Sequence, residues 1–293
     1  MKIKTYGSRF FGGQIDRIEQ GFKELGHEIT TNLSEADLLY SNDFDEADVA
    51  AVERQVVDAK YIQNILDIPW HLVEKDRSIL DKISQRLDRA DYITTISETV
   101  QSQIKQEFKY DSNVIYQPIK PVNNLGLKKD IEFLMIGRLN DPNKRASLGI
   151  QVINKFKEQI PQIRAVTVGS EDIRADGILH LGILNDEELN EVYNRTKYVL
   201  CLGKVEGLNL PIPESICAGS IPISLNDSEV SFEFNPHVFI SEPAVESIYE
   251  KIQKIDYYYK EIIDSVVKPL AEIYQEKFSP KSVAARIIEA AEK

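Results

Sequence analysis

The feature that most constrains the fold is a repeated alternation of short apolar runs with amphipathic stretches of ten or more residues. Strand-like runs such as IEFLMIG and RAVTVG flank a helix-like segment from Ala146 to Gln159. Alternation of this kind predicts an α/β protein with parallel sheets and helical crossovers. A chain of 293 residues has the length of about two domains. We therefore expect two Rossmann-like domains.

One segment, PIKPVNNLGLKK from Pro118 to Lys129, lacks this periodicity and predicts a domain linker. We expect one Rossmann-like domain over residues 1–120 and a second over residues 121–275. A C-terminal helix over residues 276–293 should follow. Ligands of open parallel sheets bind at the carboxyl ends of the strands, so we expect the active site in a cleft between the two domains.

Composition and charge exclude several classes of function. The formal net charge is −12, because 47 acidic residues outnumber 35 basic ones. Such a charge repels a phosphodiester backbone, so we expect no nucleic-acid partner, and a phosphorylated ligand would need a local group of cations. No apolar run reaches the ~20 residues of a membrane span, so membrane contact would be peripheral at most. Cys201 and Cys217 lie in apolar contexts, which indicates buried free thiols and a cytoplasmic location, with a disulfide as the alternative.

Two cations follow the predicted strand IEFLMIG. Arg138 stands at its carboxyl end, and Lys144 closes a polar Asp-Pro-Asn loop before the next helix. This arrangement predicts a local anion site. The alternative is that both residues are ordinary surface cations.

Two acids flank an apolar, proline-containing segment in EGLNLPIPE, from Glu206 to Glu214. We expect the main-chain amides of Leu208, Asn209 and Leu210 to suit a diphosphate. Glu214 is placed to accept two hydrogen bonds from a vicinal diol such as a ribose, and Glu206 to reach the hydroxyls of a neighbouring sugar. Alternatively, both acids only stabilise the N-terminus of a helix.

This stretch resembles the E-x7-E motif of retaining glycosyltransferases with the GT-B fold, in particular the family-four group. The small-residue segment GSIPI and the upstream IGRL follow in the order of that family, so the resemblance covers Ile131 to Leu225. It implies two Rossmann-like domains with parallel sheets that face each other across a cleft, an acceptor-side domain over residues 1–120 and a nucleotide-sugar-binding domain over residues 121–275. It also implies a hexosyltransferase-like enzyme that moves a sugar from a nucleotide diphosphate sugar to an acceptor hydroxyl, without a metal or other cofactor.

The resemblance also implies roles for individual residues. Arg138 and Lys144 would bind the donor diphosphate, Glu206 the transferred sugar and Glu214 the ribose. Ile183, in LHLGIL, would line the nucleobase pocket. The chain departs from the family at two positions where glycine is common: Asn209 within the motif, and Arg145 directly after Lys144.

The N-terminal half resembles the acceptor domain of the same group. Gly12 and Gly13 would let the backbone approach the donor phosphate and sugar. His71, in DIPWHLVE, is the candidate catalytic histidine of this half, and a packed structural histidine is the alternative. The terminal helix would cross back onto the first domain.

Two other functions are compatible with the same fold: a sugar-nucleotide-binding protein without turnover, and another GT-B enzyme such as an epimerase or phosphorylase. Zinc-ligand spacing, G-x-S-x-G and Walker motifs are absent from the sequence. The acceptor could be a glycan, a lipid or a small molecule.

Overall fold

The computed structural model describes residues 1–7, 13–42, 44–68, 73–74, 76–171, 173, 175–234 and 239–292, without the side chains of residues 44–46. The chain forms two compact units. The first comprises Met1–Pro118 and Lys277–Lys293, and the second comprises Ile119–Glu276.

Strands and helices alternate along most of the chain. The strands are β1 (Lys2–Tyr6), β2 (Glu28–Ile29), β3 (Leu38–Ser41), β4 (Lys60–Ile65), β5 (Tyr92–Thr95), β6 (Asn113–Val114), β7 (Ile131–Ile136), β8 (Ala165–Val168), β9 (Ile178–His180), β10 (Thr196–Leu200), β11 (Ile221–Leu225) and β12 (Ile240–Ser241). The helices are α1 (Gln14–Glu24), α2 (Phe44–Glu53), α3 (Ser78–Leu87), α4 (Glu98–Phe108), α5 (Ala146–Gln159), α6 (Asp186–Arg195), α7 (Pro211–Cys217), α8 (Val245–Tyr257), α9 (Tyr259–Ile262), α10 (Lys268–Lys277) and α11 (Pro280–Glu292).

The first unit contains a parallel sheet in the order β2-β1-β3-β4-β5-β6. Helices α1 and α11 pack together beside this sheet and share one apolar core. Close approach of the two helices depends on Gly21, because a Cβ atom there would lie 2.0 Å from the carbonyl oxygen of Pro280. Helix α11 begins behind Ser279, whose hydroxyl accepts a hydrogen bond from the amide of Ser282 at 3.1 Å.

The second unit contains a parallel sheet in the order β12-β11-β10-β7-β8-β9. Its central strands are buried, and α5 and α8 pack against each other. Beyond the carboxyl ends of β7 and β8 the backbones nearly touch, since a Cβ atom on Gly169 would lie 2.2 Å from the carbonyl oxygen of Gly137.

Two six-stranded parallel sheets confirm the predicted α/β architecture. Capping residues mark the start of two helices. Helix α4 begins behind Ser97, whose hydroxyl accepts a hydrogen bond from the amide of Val100 at 3.1 Å. Helix α6 begins with a reciprocal capping box between Asn185 and Glu188.

The segment predicted to be a linker forms hydrogen bonds with residues of the second unit. The amide of Asn123 donates to Asn190, and the amide of Leu125 donates to Asn194, whose own side chain donates to the carbonyl of Asn123. The unit boundary lies between Pro118 and Ile119. No helix in the described part of the chain has the length and apolarity needed to cross a membrane.

Candidate active site

The candidate site of the second unit lies where β7 and β10 end. These two strands are parallel neighbours, so the loops that follow them emerge at the same edge of the sheet. A small cavity of about 20 Å³, partly open to solvent, lies at this edge. Its lining includes Ile136, Lys144, Leu200, Gly203, Glu206 and Asn209. We refer to it below as the β7–β10 cavity.

Lys144 and Glu206 form an ion pair in this cavity. The ammonium nitrogen lies 2.7 Å from Oε1 and 2.9 Å from Oε2 of Glu206. The lysine side chain is 23% exposed and the glutamate side chain 10% exposed. Gly203 provides the space for the carboxylate, because a Cβ atom there would lie 1.8 Å from Oε1. A cation and an acid that the sequence predicts as ligand contacts thus lie side by side.

Asn143 fixes the loop that carries Lys144 against the loop that carries Glu206. Its side-chain amide donates to the carbonyl of Val205 at 2.6 Å, and its side-chain oxygen accepts from the amide of Val205 at 2.7 Å. Its main-chain carbonyl accepts from the amide of Lys204 at 3.2 Å. These three bonds fix the positions of the two loops relative to each other. The sequence analysis did not identify Asn143 as a site residue.

Arg145 and Asn209, the two departures from glycine, both have a left-handed backbone, with φ of 51° and 55°. Arg145 immediately precedes α5, and its guanidinium makes a bidentate contact of 2.7 and 2.6 Å with Asp227. That hydrogen-bonded contact lowers the pKa of Asp227 and raises the pKa of Arg145. The arginine thus ties the start of α5 to the loop after β11.

Asn209 differs from Arg145 in its contacts. The residue is 8% exposed and lines the β7–β10 cavity. Its side-chain nitrogen Nδ2 is buried and has no hydrogen-bond partner among the described residues. A buried polar group without a partner is uncommon in folded proteins.

Glu214 lies on α7 and is 4% exposed. Its Oε2 accepts a hydrogen bond from the Tyr193 hydroxyl at 2.8 Å, and its Oε1 accepts one from the amide of Lys120 at 3.3 Å. Burial, and then the adjacent carboxylate, raises the pKa of Tyr193 well above its usual value, so the tyrosine remains a neutral donor. Glu214 is not part of the described lining of the β7–β10 cavity. The structure therefore gives the two acids of the motif different surroundings.

The other predicted residues of the second unit differ widely in their exposure. Arg138 follows β7 with a side chain that is 69% exposed, 3.8 Å from Asp141. Ile183 is 80% exposed. Leu208 is buried and Leu210 is half-buried.

The predicted residues of the first unit are only partly described. Gly13 precedes α1 with φ of 65°. Gly12 and His71 lie outside the described residues, so their roles stay predictions.

Both cysteines are free and buried in the second unit. Burial, and then Glu206 nearby, raises the pKa of Cys201. Burial, followed by the effect of Glu214, raises the pKa of Cys217 to about 12. Thiols in this state are poor nucleophiles. Among the described residues, His, Cys, Asp and Glu side chains form no group of three or more that could hold a metal ion.

No protein-family model and no curated protein sequence matches the chain. Solved structures match it over nearly its whole length. The HepE protein of Anabaena, solved in complex with UDP and glucose, is 15% identical, with 100% of this chain and 99% of that chain covered and a TM-score of 0.79. A glycosyltransferase from Rickettsia africae is 13% identical, with coverages of 99% and 97% and a TM-score of 0.72. Sucrose-phosphate synthase from Thermosynechococcus elongatus is 17% identical, with coverages of 96% and 78% and a TM-score of 0.69. The chain therefore has the GT-B fold that these structures share.

Proposed function

We propose that this protein is a retaining glycosyltransferase that moves a sugar from a nucleotide diphosphate sugar to an acceptor hydroxyl. The observation that carries the proposal is the Lys144–Glu206 pair in a cavity at the carboxyl ends of β7 and β10. This edge is where open parallel sheets bind their ligands. The solved complexes of the HepE protein with UDP, with UDP and glucose, and with UDP-glucose favour a uridine nucleotide as the donor.

The cations would act on the leaving group. As the bond between the sugar and the diphosphate breaks, negative charge accumulates on the diphosphate oxygens. Lys144 and Arg138 are two basic side chains that follow β7, and they would stabilise that charge together with the main-chain amides of residues 208–210. Fixed protein donors of this kind can supply the stabilisation without a metal ion, and we propose metal-independent transfer.

The two acids would bind different parts of the donor. Glu206, next to Lys144, would accept hydrogen bonds from hydroxyls of the transferred sugar. Glu214 would hold the ribose diol, because an ionised carboxylate accepts about four hydrogen bonds. Tyr193 and the Lys120 amide supply two of these. The remaining capacity suits two hydroxyls.

The acceptor would be a hydroxyl of a glycan, a lipid or a small molecule. We propose a cytoplasmic location, which two buried free thiols favour. We propose no nucleic-acid partner, because the net charge of −12 opposes one. Contact with a membrane would be peripheral.

Calorimetric titration with UDP and UDP-glucose, in the presence of EDTA, tests the proposal. We expect UDP to bind and to stabilise the fold by about 2.7 kcal/mol at 100 times its dissociation constant. Incubation with UDP-glucose should release UDP by hydrolysis or by transfer to an added acceptor. A protein that binds UDP-glucose but never releases UDP would be a binding protein, and strict dependence on magnesium or manganese would contradict the metal-independent mechanism.

Two variants separate the proposed roles of the acids. Glu214→Gln should weaken UDP and UDP-glucose alike, whereas Glu206→Gln should spare UDP and reduce turnover. Glu187→Gln, an exposed acid in the first turn of α6, is the control for a purely helix-stabilising role. If both test variants behave like this control, with a lower melting temperature but unchanged binding and turnover, the proposed roles are wrong.

A further inference from the structure

The Asn209 side chain performs no evident task in the protein alone. Its backbone is left-handed, a conformation that glycine adopts without strain and that asparagine tolerates. Glycine would fit this backbone without burying any polar atom. The chain instead carries an asparagine that is 8% exposed and whose side-chain nitrogen is buried without a partner in the described structure.

The surroundings of this amide limit what it could bind. Asn209 and the carboxylate of Glu206 line the same cavity. Glu206 already neutralises the ammonium group of Lys144. A hydroxyl could donate to the carboxylate of Glu206 and accept from the amide of Asn209 at the same time, whereas an ionised phosphate oxygen could only accept. The chemistry of this part of the cavity therefore favours a hydroxyl over a phosphate oxygen.

We propose that the side-chain amide of Asn209 donates a hydrogen bond to a hydroxyl of the transferred sugar and thereby selects the donor. This inference rests on the proposed function and adds a residue that discriminates between donor sugars. Because a hydroxyl of fixed configuration must meet both Asn209 and Glu206, sugars that differ in the orientation of one hydroxyl would bind with different affinity. Sites built to hydrogen-bond a hydroxyl reject analogues that leave the partner group unpaired.

The test compares Asn209→Gly with the parent protein in calorimetric titrations with UDP, UDP-glucose, UDP-galactose and UDP-N-acetylglucosamine. The glycine variant suits the left-handed backbone and removes the side chain that carries the amide. We expect unchanged affinity for UDP and an affinity three- to ten-fold lower for the UDP-sugar that the parent binds best. The preference for that sugar over the others should fall by the same factor, which corresponds to the loss of one hydrogen bond to a neutral group.

Two further variants separate the effect of the amide from effects of the backbone and of side-chain size. Lys109→Gly replaces another left-handed residue, with φ of 65° on the surface after α4, and should leave all four affinities unchanged. Asn209→Asp keeps the size of the side chain but replaces the donor with a second carboxylate, so it should lose the sugar preference at least as fully as Asn209→Gly.

The outcomes distinguish this inference from the proposed function. If the parent binds none of the four compounds, the proposed function fails, and this inference fails with it. If the parent binds them and Asn209→Gly retains the same preference, the proposed function stands and the role of Asn209 is wrong. Equal weakening of UDP and of every UDP-sugar would place the amide against the nucleotide and would also overturn the inference, as would a preference that survives in Asn209→Asp.

Discussion

The Lys144–Glu206 pair should contribute to stability as well as to binding, and a double-mutant cycle measures how much. Exposed ion pairs contribute about 0–1 kcal/mol, whereas breaking a buried pair costs about 3–5 kcal/mol. With side chains that are 23% and 10% exposed and two contacts below 3 Å, this pair lies between these limits. Lys144→Met leaves Glu206 largely buried without a counterion, so we expect a loss of about 3 kcal/mol. Glu206→Gln keeps the size of the side chain and one acceptor for the lysine, so we expect a loss of about 1.5 kcal/mol.

The double variant should lose about 2.5 kcal/mol, less than the sum of the single losses, which gives a coupling energy of about 2 kcal/mol. Scanning calorimetry without ligand provides the measurement, and each kcal/mol should shift the melting temperature of a unit of this size by about 2–4 °C. The exposed pair Asp264–Lys268, whose members are four positions apart, is the control and should show a much weaker coupling than the Lys144–Glu206 pair. If the losses of Lys144→Met and Glu206→Gln add up to the loss of the double variant within about 0.5 kcal/mol, the ion pair contributes no coupling energy and the reasoning is refuted.

Two further predictions concern stability away from the cavity. Burial lowers the pKa of Lys129 to about 7, whereas a lysine in an unfolded chain has a pKa of ~10.4. Between these pH values the unfolded chain binds more protons than the folded protein, so the free energy of unfolding should rise with pH. Thermal unfolding should show a rise of about 2 kcal/mol from pH 7 to pH 9 that is absent in Lys129→Met; an identical pH profile in the two proteins would contradict this. In the first unit, Gly21→Ala should destabilise by about 1–3 kcal/mol despite the helix propensity of alanine, because the new methyl group meets the backbone of Pro280. The exposed Lys23→Ala on the same helix is its control, and a stability of Gly21→Ala equal to or above that of the parent would disprove the contact.

Periodicity was enough to predict the architecture. Helices over residues 146–159, 186–195 and 98–108 begin and end where the apolar period and the capping residues predict. The candidate site was predicted for a related reason. Residues that directly follow strands of a parallel sheet emerge at one edge, so Lys144 and Glu206 could be assigned to the same region without knowledge of the strand order. That β7 and β10 are immediate neighbours is known only from the structure.

The supporting contacts could not be predicted, because they join residues that are distant in sequence and belong to common types. Asn143 lies in a loop where an asparagine indicates only a turn, and its partners are about 60 positions away. The bond from Tyr193 to Glu214 links two helices. The sequence predicts only that Gly203 ends a strand, whereas the structure shows that its missing side chain leaves room for the Glu206 carboxylate. Each of these depends on packing between elements, which local pattern does not encode.

The two left-handed residues beside the cavity show how a departure from a family pattern can be interpreted. Holding a residue other than glycine in this conformation costs on the order of 1 kcal/mol, although asparagine tolerates it better than arginine does. At Arg145 the side chain offsets that cost with a bidentate contact to Asp227 that a glycine could not make. At Asn209 no contact of the side-chain nitrogen within the described protein offsets the cost, and burial of the amide adds to it. Contacts within the described protein therefore explain why arginine replaces glycine at position 145, but they do not explain why asparagine replaces it at position 209. A bound ligand is the partner that would account for the difference, which is why Asn209, rather than Arg145, is the residue to test for donor selection.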